Sequence, residues 1–423
     1  MTNAFAPAER EALADARLAV FRDRIILSAQ PPIDPIDLGR IERRCAGPIP
    51  RALTDLWHTC FGGRLAYDLR VNFDGHEARF SFTELFYPDS DGYMDLWGWI
   101  EHEESLEKEA AHAAGRPASA TLNALPFGGF EYLERLYVLT SPGRQGGAIV
   151  AWRQGLPPAW NFDLNADAAT RVADDVYALF DQLHLELDPW SVEHSNEPTG
   201  IEMIDAIDGL ATRGTAGKSA AEKLRSLVRG CVLDWRAALA DGTLVQRRLL
   251  RNIALEHAAR ANDVELCRRL KAEGCSLHER VSGGATMLEH ALAAGSLQVA
   301  HFLIAEGAPV DRALRYGAHI IDVSLARDFL SRGAIPDEAA IFAATRDGDP
   351  DVAWMMLDHA TIDVSSLQLA ITARKRATDA EHAAKQIDAG KLASNLTSTE
   401  LRRRAARLNA LAARVDPTLR PGT

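Results

Sequence analysis

The chain lacks any run of about 20 consecutive apolar residues, the length a membrane-crossing helix requires. It is expected to have no membrane span. Its first residues, Met-Thr-Asn-Ala-Phe-Ala-Pro-Ala-Glu-Arg, have no basic stretch leading into an apolar core, so they do not read as a secretory signal. Cysteine is scarce: Cys45, Cys60, Cys231, Cys267 and Cys275 are scattered over 423 residues, with no Cys-x-x-Cys. That argues against a zinc ribbon or a redox pair and for reduced thiols in a cytoplasm. No serine sits in a Gly-x-Ser-x-Gly turn, so an esterase-type nucleophile is not indicated. No catalytic, metal or cofactor-binding constellation is read from the sequence, and an enzyme is not expected.

Positive charge is short in one half only. The formal net charge is −12, and residues 1–190 hold 29 acids against 17 Lys and Arg, while the remainder is balanced. Such a surface repels nucleic-acid phosphate and favours basic partners. The densest acidic part runs from Glu84 to Glu109, with Lys108 as its one Lys or Arg.

The first half is organised around Ile49–Leu65. Pro50 suits a first helical turn, where its missing N–H costs nothing. Leu53, Leu56, Trp57 and Cys60 recur at helical spacing, which gives the helix one apolar face. Gly62 and Gly63 are expected to end it. Arg64 to Val71 alternates as a strand does. The unit is read as helix, glycine turn, strand.

This stretch resembles the SUKH superfamily of bacterial immunity proteins, which also includes a yeast cell-wall regulator. Members carry a similar Ile-Pro, Leu, Leu-Trp, Phe-Gly-Gly signature. A second matching stretch is Leu125-Pro-Phe-Gly-Gly-Phe, followed by Leu136-Tyr-Val-Leu and Gly147-Ala-Ile-Val-Ala-Trp. The resemblance covers about residues 35–190 and implies an α+β domain with an antiparallel or mixed sheet and flanking helices.

In chain order, residues 7–29 are predicted to form one helix, an N-terminal extension (residues 1–34) stopped by Pro31-Pro32. Ile36 to Cys45 reads as a short helix. His76 to Phe82 reads as a strand after the turn Asn72-Phe-Asp-Gly75. Glu101 to Ala114 reads as a helix, residues 130–139 and 147–152 as strands, and Asp167 to His184 as a helix. Strands grouped together with helices at the ends favour α+β over a doubly wound sheet. Residues 191–245 are expected to be a linker with a helical connector, including a helix over Ile201–Leu210. Gly214-Thr-Ala-Gly-Lys-Ser219 imitates a phosphate loop. It has Thr212 where the first glycine belongs and no buried strand before it, so nucleotide binding is not expected.

The second half repeats. Leu255-Glu-His-Ala258 and Leu288-Glu-His-Ala291 stand 33 residues apart, as do Gly274 and Gly307. That is the ankyrin period, and Thr286-Met-Leu-Glu-His-Ala291 is similar to the ankyrin Thr-Pro-Leu-His-x-Ala signature, departing at Met287 and Glu289. A third unit ends at Gly333, only 26 after Gly307, and a fourth runs from Ile341 to Ala360. Residues 246–364 are therefore read as about four ankyrin-type repeats, the last two degenerate. Residues 365–423 are read as a helical cap, because one helix pair cannot bury its apolar side alone. The overall expectation is an α+β domain followed by an all-α solenoid.

Chemical candidates are few. His102 and His112 lie on the acidic helix and read as solvated. His257 and His290 repeat at one register and read as structural. Asp89-Ser-Asp91-Gly92 lacks the twelve-residue calcium pattern and reads as a turn. The stretch from Tyr93 to Glu101 interleaves acids with aromatics. Trp97 and Trp99 are either strand core or anchors of an interface rimmed by carboxylates. The partner-binding residues on the second view are Asp89, Asp91, Tyr93, Asp95, Trp97, Trp99, Glu101, Glu103, Glu104 and Glu107.

The SUKH resemblance implies an antidote that blocks a toxin delivered between competing cells. Many such toxins are nucleases, and a nuclease is basic where it grips phosphate. The expectation is a cytoplasmic immunity protein that neutralises a cognate basic toxin, with no direct contact to nucleic acid or membrane. The alternative is a cytoplasmic ankyrin scaffold or adaptor with no toxin partner.

Overall fold

A computed structural model of the chain describes residues 5–73, 75–90, 92–131, 133–143, 146–153, 169–190, 200–360 and 367–416. The chain divides into two compact units. The first holds the chain up to Ala237 together with Ser282–Gly284, and the second holds the rest.

The first unit opens with α1 (Pro7–Asp15) and then a hairpin, β1 (Ala19–Phe21) and β2 (Arg24–Ile26). The single helix predicted over residues 7–29 is thus broken in two. Arg17 adopts φ 55° after α1, and Arg22 and Asp23 adopt φ 49° and 58° between the strands. Left-handed values at both central residues make a two-residue turn whose twist matches paired strands. Phe21, Ile25 and Ile26 are buried on the strands, as they would be on a helix.

Next come α2 (Pro35–Glu42) and α3 (Arg51–Thr59). Leu53, Leu56 and Trp57 of α3 are buried, and each such side chain contributes roughly 1.5–3 kcal/mol. The helix stops at Cys60, which is extended at φ −160°. The glycines serve the entry to the sheet instead. Gly62 and Gly63 have φ 112° and 147°, and a Cβ on them would lie 2.5 Å from the Tyr87 ring and 2.7 Å from Ile26. The expected strand from Arg64 to Val71 is split into β3 (Gly63–Arg64) and β4 (Arg70–Phe73). Strand β4 forms a hairpin with β5 (His76–Arg79), and β6 (Glu84–Leu85) follows. Helix α4 (Leu96–Ala113) leads to β7 (Ala124–Phe130), β8 (Glu134–Leu139), β9 (Ile149–Arg153) and β10 (Ala169–Ala173).

Among the described residues, six strands form an antiparallel sheet in the order β10-β9-β8-β7-β6-β3. The helix predicted from Asp167 is a strand and a shorter helix, α5 (Val176–Gln182). Asp175 caps α5 by accepting from the Ala178 N–H at 2.8 Å. The expected linker is not one over its helical part. Helices α6 (Ile201–Ala211) and α7 (Gly214–Gly230) place Met203, Ile207, Leu210, Leu224 and Val228 in the same core as Ile25, Leu53 and Phe180. The phosphate-loop imitation lies in the first turns of α7. Its Gly217 lets α6 approach, since a Cβ there would meet the Leu210 carbonyl at 2.4 Å.

A short helix, α8 (Trp235–Ala240), precedes the helix pairs α9 (Arg248–Arg260) with α10 (Val264–Ala272), α11 (Met287–Ala293) with α12 (Leu297–Ala305), α13 (Ala313–Gly317) with α14 (Val323–Ser331), and α15 (Glu338–Arg346) with α16 (Pro350–His359). A long pair, α17 (Leu367–Asp388) and α18 (Ser398–Val415), closes the series. One row runs α9, α11, α13, α15, α17, each packed on the next. In the other row α10 packs on α12, α14 on α16, and α16 on α18. Residues 33 apart are equally buried: Leu255 and Leu288, Ala258 and Ala291, Leu270 and Leu303 are all at 0% exposure. Gly274, Gly307 and Gly333 have φ from 85° to 93°. The N–H one residue later reaches back to Leu270, Leu303 and Phe329 at 2.9–3.0 Å, closing each outer helix with a Schellman turn. The 26-residue spacing follows from the connection between pairs: Gly307 stands six residues before α13 (313 − 307), whereas Gly274 stands 13 before α11 (287 − 274).

Candidate partner-binding surface

The acidic, aromatic stretch is mostly helix. Asp95 caps α4 by accepting from the N–H groups of Trp97 and Gly98 at 3.3 and 3.0 Å. The helix thus begins five residues before the predicted Glu101, and Trp97 and Trp99 occupy its first turns, not a strand. From there the side chains four apart share a face. Trp99, Glu103, Glu107 and Ala111 are all buried.

That inward face carries a polar network. The Arg135 guanidinium on β8 lies between two rings, 4.2 Å from the centre of Trp99 and 4.3 Å from that of Trp152. Glu103 accepts from Arg135 at 3.1 Å and from the Tyr137 hydroxyl at 2.6 Å. Burial and the neighbouring Glu103 charge push the Tyr137 hydroxyl well above its ordinary range, so it stays protonated and donates. Trp99 stacks on Phe86 and gives its Nε1–H to the Tyr93 carbonyl at 2.5 Å. One turn further, Glu107 accepts both Arg116 amino groups, at 2.6 and 3.1 Å, and the Ser119 N–H at 2.9 Å. Glu103 and Glu107 therefore hold α4 to its own unit and are not part of an exposed carboxylate rim. Glu104 pairs with Arg44, and half-buried Trp97 lies 4.6 Å beneath Arg40. Asp89, Tyr93 and Glu101 remain exposed. Asp91 lies outside the described residues.

Pairing of this kind leaves the excess charge elsewhere. Three buried carboxylates each have a cation: Glu103 has Arg135, Glu107 has Arg116 and Glu9 has Lys223. Exposed acids of the first unit include Asp23, Asp34, Asp89, Glu101, Asp181 and Asp188.

A second buried network was not legible in the sequence. Arg70 on β4 holds Glu186 through two bonds of 2.5 and 2.8 Å, and Arg79 adds a third at 2.7 Å. His184 Nε2 lies 3.7 Å from the same carboxylate. The Glu186 N–H donates to Asp68 at 2.9 Å. Burial opposes the Glu186 charge, yet the nearby His184, the hydrogen bonds from Arg70 and the charges of Arg70 and Arg79 hold the carboxyl far below the usual range. Asp68 shifts up, through burial and through the Glu186 charge. Arg70 and Glu186 are 116 positions apart, so no local pattern marks the pair.

The five thiols are all buried and unpaired with one another. Burial raises Cys45, Cys60 and Cys267 to about 12, which suits small apolar packing. Among the described residues no group of three or more His, Cys, Asp or Glu is arranged to hold a metal ion, and no helix is long and apolar enough to cross a membrane.

No protein-family model matches the chain, and no curated protein is significantly similar to it.

Proposed function

We propose that the chain is an immunity protein that neutralises a cognate basic toxin by binding it. The observation that supports this most is the Ile49–Leu65 unit, on which the SUKH resemblance rests. Its Gly62 and Gly63 are positions where packing against Tyr87 and Ile26 leaves no space for a Cβ. In this reading residues 35–190 form a SUKH-like domain, the helix pairs are ankyrin-type repeats, and both are binding scaffolds of the cytoplasm. The segregated charge of −12 would speed the encounter with a basic toxin and make it salt-sensitive. A tagged pull-down from the native cell at low and moderate salt tests the reading. One basic partner that is toxic alone and harmless beside this chain is the expected result. Several unrelated partners without toxicity would replace it with the scaffold reading, which the stacked helix pairs favour.

A further inference from the structure

Two hollows adjoin in the first unit. One, of about 520 Å3, is mainly apolar, with Phe5, Leu13, Leu18, Val20 and Leu227 in its walls. Its cations are Arg10 and Lys223, and Lys223 is already bound to Glu9 at 2.6 Å. The other, of about 400 Å3, is lined by Phe21 and Tyr177 and by the carboxylates of Asp23, Asp55 and Asp181, against the single guanidinium of Arg22. Val20, Asp23 and Thr59 border both, so the two form one trough along the β1–β2 hairpin, apolar at one end and acidic at the other.

The charges in the acidic end do not balance. Arg22 pairs with Asp181 and lies 5.7 Å from the Tyr177 ring centre. Asp55 accepts the Tyr177 hydroxyl and pairs with Arg51 at 3.6 Å. Asp23 makes no ion pair among the described residues. Three carboxylates are thus met by two cations, Arg22 and Arg51, and Asp23 is left over beside two aromatic walls of the kind that hold a guanidinium or ammonium. Each hollow is in the size range of a small-molecule pocket, which leaves room for a large side chain.

We propose that this trough docks a segment of a basic partner protein, taking a large apolar side chain at the Leu13–Leu227 end and a neighbouring Arg or Lys at the Asp23–Asp181 end. The proposal rests on the protein-binding reading above and names the site for it. It draws the recognition surface away from α4, whose carboxylates are internally committed.

The test uses the full chain and a fluorescein-labelled 12-residue peptide of alternating Leu and Arg pairs, with a Leu–Glu peptide of the same length as control. Three variants alter side chains that are exposed at the trough: Ala14→Trp fills the apolar end, and Asp23→Asn and Asp181→Asn neutralise the other. Circular dichroism and thermal unfolding of each variant confirm that it folds. The Arg peptide is expected to bind with an affinity that falls as salt rises, and the Glu peptide is not. Each variant weakens binding about tenfold, and the double Asp variant reduces the salt dependence. Equal binding of the two peptides, no saturation by about 1 mM, or full affinity in Ala14→Trp and Asp23→Asn would overturn the proposal. A toxin still bound at full affinity by these variants overturns the trough and leaves immunity standing. Trough binding without any toxic partner does the reverse.

Discussion

Glu103 on α4 and Tyr137 on β8 meet at 2.6 Å, carboxylate to hydroxyl, in a site where both side chains are almost fully buried. The acid that looked like part of a solvated face is thereby the link between helix and sheet. Arg135 shares the same carboxylate, clasped between Trp99 and Trp152.

Replacing Glu103 by Ala leaves the Arg135 charge buried without its partner. Breaking a buried pair from one side costs about 3–5 kcal/mol. Urea unfolding of Glu103→Ala is expected to show that loss, whereas Glu101→Ala, on the exposed side of the same helix, stays within about 0.5 kcal/mol. Equal effects from both would refute the inward assignment.

Asp68 and Glu186 pull in opposite directions with pH. Glu186 is depressed, so its stabilisation is present at neutral pH and is lost as pH falls toward its folded value. Asp68 is raised, so its share is full below the ordinary aspartate range and is lost as pH climbs through its folded value. Asp68→Asn keeps an acceptor for the Glu186 N–H and removes the repulsion. It is expected to unfold at higher temperature than the parent at pH 7, with the gain vanishing below about pH 4. A gain unchanged across that window would contradict the assignment.

Gly62 and Gly63 hold backbone conformations other residues enter at a cost of about 1–3 kcal/mol. A Cβ on Gly63 would also stand 2.8 Å from the Leu27 carbonyl oxygen. Gly62→Ala and Gly63→Ala are each expected to lower stability by at least that strain. Gly115→Ala serves as the comparison, since it shares a positive φ but has nothing within 4 Å; it should cost less.

Glu9 fastens α1 to α7. Hydrogen bonds from Lys223, Ser219 and the Ala6 N–H hold its carboxyl to about 2. The stabilisation is present above the ordinary glutamate range and disappears as pH falls toward 2. The difference in melting temperature between the parent and Glu9→Gln is therefore expected at pH 7 and should shrink steadily below about pH 4.5.

Thiol accessibility gives a further check. A disulfide reagent at pH 8 should modify none of the five cysteines quickly in the native chain and all of them in denaturant, since every thiol is buried. Rapid modification of Cys267 would contradict its place in the packed face of α10.

How much of this was legible in the sequence differs by element. Helix α3 declared itself through Leu53, Leu56 and Trp57, because a helical period needs no distant partner. The hairpin after α1 did not, since Arg22-Asp23 carries none of the Asn-Gly or Gly chemistry that marks such turns. Strand β10 hid for a similar reason: Ala169–Ala173 and Val176–Gln182 read as one apolar period until the Asp175 cap divides them.

The sequence by itself determined the local and the periodic: the helix before Gly62, the sheet strands around Tyr137 and Val150, and a 33-residue repeat whose equivalent leucines are buried alike. These depend on spacing along one chain, which hydrophobic burial converts directly into elements. Only the tertiary structure decided which acids face water. Glu101 and Glu103 are two residues apart and chemically the same, yet one is solvated and the other lies against Arg135. The difference is set by where β8 passes, 32 residues further along, and a charge is buried only where the fold brings it a partner.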